Sequence, residues 1–146
     1  MKPITEDLQL EEELQELYIL SKHWISDIHF EEVEIKFLKS ILNKYLVSET
    51  KSEQLNEIDH FNETLALQGA SIAELKEKIA ELLKFIGSII VGSDTQIRID
   101  LVEKFAMLET AMKALFISIK QLKKSLFSFT EKIMKAEYDV FNHQIN

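Results

Sequence analysis

Cysteine is absent from the chain. Without it there is no disulfide frame, no thiolate metal site and no cysteine nucleophile. Turn chemistry is equally scarce. One proline and three glycines in 146 residues fall well below the usual frequencies of roughly 5% and 7%. Few tight turns can be built from such material, so the chain must consist of few, long elements. The three glycines, Gly69, Gly87 and Gly92, lie too far apart for a glycine-rich phosphate loop. No strand–turn–helix context for a nucleophile elbow is present either. No run of about 18 apolar residues occurs, so no membrane-spanning helix is expected. Positive charge is in deficit, with 17 Lys and Arg against 25 Asp and Glu and a net charge of −8. A phosphate backbone needs a basic field, which argues against DNA or RNA as a general partner. The same deficit disfavours adsorption to anionic lipid. Residues 1–16 are acidic and contain no apolar core segment, so no signal peptide is expected and the cytoplasm is the expected compartment.

What is present is a long heptad pattern, with 46% of the chain apolar. Steps of four and three residues from position 101 give Leu101, Phe105, Leu108, Met112, Leu115, Ile119, Leu122, Leu126, Phe129, Ile133, Ala136, Val140 and His143. No strand has this period, and no loop sustains it. A straight helix of that length runs about 60 Å and needs partners of matching length. The first part of the chain supplies one, with a seam of Leu10, Leu14, Leu17, Ser21, Trp24, Ile28, Glu31, Ile35, Leu38, Leu42 and Tyr45. Pro3 and Thr5 suit its start, as tolerated proline and N-cap. The second partner has the seam Ile58, Phe61, Leu65, Gln68, Ile72, Leu75, Ile79, Leu82, Ile86 and Ile89. Ser48, Thr50 and Ser52 mark a first turn near 47–52. Gly92, Ser93 and Asp94 mark a second, as a terminator followed by a cap.

The expected fold is therefore all-α: one domain over 1–146, with helices at about 5–47, 52–90 and 94–143. Short connections make neighbours antiparallel, and sustained heptads imply knobs-into-holes packing. The result is an elongated up-down-up bundle. The alternative is four helices. Gly69 followed by a Ser71–Glu74 capping box could split the second helix, and Ser125–Ser128 with a Ser128–Glu131 capping box could split the third. Against a break at Gly69, the heptad phase passes through it without a slip, and one interior glycine costs only ~1 kcal/mol.

The turn positions set which residues lie level. A residue on the first helix should face about 99 minus its number on the second, and one on the second about 185 minus its number on the third. Glu31, Gln68 and Ser118 then share a polar layer. A buried carboxylate needs hydrogen bonds or a proton, and the plainest role for such a layer is to fix register. The same levels set Asp27, Glu32 and Glu34 beside Lys113 and Lys120 in the lysine-rich stretch 113–135.

Two functional constellations compete with a purely structural bundle. A di-iron-like bundle uses inward Glu-x-x-His pairs. Only Glu57 and His60 have that spacing, and the seam assignment turns His60 outward, as it does His23 and His29. No metal or other cofactor is expected, and no catalytic residues are assigned. The second signal is surplus apolarity. Phe30, Val33, Phe37 and Ile41 form a stripe off the first seam, and Phe127, Met134, Tyr138 and Phe141 form one off the third. Helices apolar on two sides are buried on two sides. The expected function is a non-catalytic, soluble helical scaffold or interaction module whose aromatic stripes meet a second copy, as a homodimer, or another helical protein. A carboxylate–histidine metal bundle and an apolar-ligand or membrane-surface bundle are the alternatives from other classes.

Overall fold

The computed structural model describes the backbone of residues 4–46, 54–89 and 95–145, and the side chains of 12–44, 54–89 and 96–135. Three long helices account for nearly all of it: α1 (Ile4–Ile41), α2 (Leu55–Ser88) and α3 (Thr95–Ile145). A single π turn, Leu42–Leu46, closes α1. There is no strand among the described residues. α1 packs antiparallel to α2, and α2 antiparallel to α3. The expected turns at 47–52 and 92–94 lie outside the described residues. So do the side chains of Thr5, Leu10, Tyr45, Tyr138, Phe141 and His143.

Neither alternative break occurs. α2 continues through Gly69, where an added Cβ would meet nothing nearer than the Lys39 Nζ at 4.0 Å. α3 continues through Ser125 and Ser128 to Ile145. Both serine–glutamate capping signatures therefore sit inside helices.

The heptad seams are where the side chains are buried. Among the described residues, every buried apolar residue occupies a seam position, and the two buried polar residues, Ser21 and Gln68, are seam positions too. The helices thread two compact units. The first, Met1–Glu31 with Ser71–Ala114, is built on Ile28, Ile72, Ile79, Leu101, Leu108 and Met112. In it Trp24 stacks on Phe105 with ring centroids 4.5 Å apart, which brings α1 and α3 together. Ser21 is fully buried, and its hydroxyl donates to the Leu17 carbonyl at 2.8 Å, one turn back. That local bond spares the helix an unsatisfied polar group.

The second unit, Glu32–Ala70 with Leu115–Asn146, is built on Ile35, Leu38, Leu42, Leu65, Ile119 and Leu126. Phe61 of α2 meets Phe129 of α3 at 5.3 Å. Truncating any of these leucines or isoleucines to alanine should cost about 2–5 kcal/mol, because a close-packed seam cannot collapse into the hole.

Register within the second unit can be read from polar contacts. The Gln68 amide donates to the Ser118 hydroxyl, within one residue of the expected level between α2 and α3. Between α1 and α2, Asn62 Nδ2 donates to Asn43 Oδ1 at 3.4 Å. Those two numbers add to 105, against the expected value of about 99. The level opposite Gln68 on α1 therefore falls near residue 37. The α1–α3 offset is smaller than the expected 86: residue 37 falls level with Ser118, about 81 residues on, as Trp24 does with Phe105 in the first unit, and Lys123 reaches back along the groove to Glu34.

Candidate functional site: an apolar face of the second unit

The site is built from the outward rows of α1 and α3. Ile35, Leu38 and Leu42 fix the core-facing stripe of α1. Helical spacing then places Val33 and Phe37 on the opposite, outward side. Both are exposed, Phe37 by 60%. Ile41 is half-buried, nearer the seam. On α3, the seam of Leu122, Leu126, Phe129 and Ile133 leaves Phe127 and Met134 outside, exposed by 48% and 61%.

One ion pair shows how these rows lie. Lys123 Nζ of α3 reaches Glu34 Oε1 of α1 at 2.7 Å, and both side chains are mostly buried. These two therefore border the α1–α3 groove. Phe37 is three residues beyond Glu34 and Phe127 four beyond Lys123, each one turn further along its helix on the flank towards the other. The two rings thus belong to one flank but not to one level: Phe37 lies opposite Gln68, which joins Ser118, so Phe37 stands about nine residues, or ~13 Å, short of Phe127 along the bundle. Beneath them, Glu34 Oε2 is buried with no hydrogen-bond partner among the described residues. An ion pair so screened from water is held more firmly than an exposed one, and it fixes the two helices that carry the apolar rows.

The other expected site residues fall as follows. Gln68 and Ser118 are joined in the second unit, with Gln68 only 8% exposed. Glu31 is partly buried and belongs to the first unit. Phe30, also in the first unit, is exposed. Tyr138 and Phe141 lie on the described backbone of α3, but their side chains are outside the described residues. The charge pairing differs in detail from the expected one. Lys113 pairs with Glu109 on its own helix at 3.4 Å, and it is Lys123, not Lys113 or Lys120, that meets Glu34.

Candidate chemistry finds no centre. Glu57 and His60 are exposed, as are His23 and His29. Among the described residues no group of three or more His, Asp or Glu side chains converges. No helix is long and apolar enough to cross a membrane, again among the described residues.

Sequence reasoning did not single out a second set of exposed apolar residues, in the first unit. Tyr18 and Ile19 on α1, and Ile99, Val102 and Met107 on α3, are all exposed. A shallow groove of about 380 Å³ runs between Leu14 and Leu17 of α1 and Ile99, Leu101 and Val102 of α3. The off-seam criterion that marks Phe37 and Phe127 marks Ile99 and Val102 as well.

Compared with known proteins, the chain matches no family model, no curated protein and no solved structure.

Proposed function

We propose that this chain is a non-catalytic helical interaction module that associates with a second copy of itself through the α1–α3 face of its second unit. The observation that carries this reading is the set of exposed apolar residues along one flank, Val33 and Phe37 on α1 and Phe127 and Met134 on α3, each about half exposed or more. Single exposed apolar residues are ordinary on any surface. Aromatic side chains clustered on one face are the usual carriers of interface energy.

The size of the face sets the expected strength. Two helices side by side over five turns present roughly 27 Å by 20 Å, or about 550 Å². A standard interface uses about 800 Å² per partner. Association is therefore expected to be modest and to respond to dilution. Light scattering across a dilution series tests it: a mass moving between one and two chains supports the reading, and a single-chain mass at every concentration refutes self-association.

A further inference from the structure

The outward side of α3 in the second unit repeats the heptad step. Alternating steps of three and four give Ile117, Lys120, Lys124, Phe127, Glu131 and Met134, all exposed. This row lies across the helix from the buried seam of Leu122, Leu126 and Phe129. It spans about 26 Å, and a row at this step stays in line with a second helix laid along it. Three of its six members are apolar, and Ile117 is 60% exposed.

Lys120 and Lys124 stand in that row with no acid to answer them. Elsewhere on the bundle lysine is paired along its own helix. Lys78 meets Glu74 at 3.0 Å and Lys113 meets Glu109 at 3.4 Å, each one turn back. No acid stands three or four residues from Lys120 or Lys124, and neither forms an ion pair with another described residue. They lie one turn from each other, and like charges at that spacing weaken a helix. From Ile117 to Lys135 the sequence has five lysines and one acid, Glu131. Of the five, only Lys123 reaches an acid on another helix among the described residues, Glu34 at 2.7 Å.

The complement of this row is negative, linear and partly apolar. A bilayer or a nucleic acid sets its charge against the whole chain, whose own sum is −8. A single helix meets only the charge within a Debye length of about 8 Å of the row, where lysine prevails. Every cation of the stretch is lysine, without the planar arginine fork that suits phosphate. The α3 of a second copy brings the same excess of lysine and leaves Lys120 and Lys124 unanswered.

We propose that the outward row of α3 docks an acidic helix of another protein, its carboxylates on Lys120 and Lys124 and its apolar side chains over Ile117, Phe127 and Met134. This goes beyond the self-association above and is read on two lysines that the α1–α3 flank does not use. The probe is a labelled synthetic helix of matching length, with glutamate and leucine in the complementary positions. Its analogue with glutamine for glutamate is the control. Fluorescence anisotropy should show the acidic helix binding about tenfold or more tightly than the analogue, with the difference shrinking as salt is added. Lys120→Glu with Lys124→Glu should remove that preference, because like charges set opposite one another oppose association. Lys120→Glu alone places an acid four residues ahead of Lys124, an order that favours the free helix. Its thermal midpoint should hold or rise while its affinity for the probe falls, which a merely misfolded variant could not show. Equal binding of the two peptides, or of the original and doubly reversed chains, overturns the proposal. So does tighter binding to phosphatidylserine vesicles or to a DNA duplex than to the acidic helix. Failure of self-association is read separately, from the mass series of the original chain, and leaves these outcomes untouched.

Discussion

Buried polar residues are where single atoms decide the outcome. Ser21 and Gln68 both occupy seam positions that a heptad would fill with leucine, yet they solve the problem differently. Ser21 returns its hydroxyl to its own helix at Leu17. Gln68 reaches across to Ser118 on α3, so its satisfaction depends on a second helix. Removing only one member of such a pair leaves a buried donor unmet, which costs about 1–3 kcal/mol, whereas replacing both by apolar groups can be nearly neutral. Ser118→Ala is therefore expected to lower the unfolding free energy by about 1–2 kcal/mol in urea titration. Gln68→Leu combined with Ser118→Ala should recover most of that loss, or exceed the original stability. Equal destabilisation by the single and double variants would show that the Gln68–Ser118 bond does not set the cost.

At the level of the helices, α2 carries the sharpest conflict between local and long-range signals. Gly69 with Ser71 and Glu74 reads locally as one helix ending and another starting. The heptad reads as one helix, and the heptad prevails because Leu65, Gln68, Ile72 and Leu75 all bury on one face. Ser128 and Glu131 lose the same contest to Leu126, Phe129 and Ile133. Space at Gly69 is open apart from the flexible end of Lys39. Gly69→Ala should thus raise stability by about 0.5–1 kcal/mol, visible as a higher thermal midpoint by circular dichroism. A lower midpoint would mean the position needs glycine after all. The helices and their buried faces were legible because periodicity over many turns averages out local noise. Register was legible only where a turn is chemically sharp. Gly92, Ser93 and Asp94 place Gln68 against Ser118 to within one residue. The softer serine–threonine segment near 47–52 misplaces α1 against α2 by about six. The π turn at Leu42–Leu46 leaves no periodic mark in the sequence, and so could not correct for it. The aromatic rows were legible as off-seam residues, but their levels were not, because the α1–α3 offset inherits the misplaced first turn and sets Glu34 beside other lysines than Lys123.

For the molecule as a whole, folding and association draw on different residues of the same helices, and this can be separated by experiment. Phe127 and Phe129 stand two positions apart on α3. Phe129 is 5% exposed and packs on Phe61, whereas Phe127 is 48% exposed. Substitution on an open surface changes stability by no more than about 0.5 kcal/mol, while losing a buried phenylalanine costs about 3–5 kcal/mol. Phe127→Ser, alone or with Phe37→Ser, should then leave the thermal midpoint of a dilute sample unchanged and abolish the second copy in light scattering. Phe129→Ser should lower the midpoint at every concentration. Association also links to stability by mass action, since a partner that binds only the folded chain raises its apparent midpoint with concentration. The original chain should therefore melt higher as it is concentrated, and the Phe127→Ser chain should not. If both midpoints rise together, some other surface joins the copies, and the exposed residues of the first unit around Ile99 and Val102 become the place to substitute next.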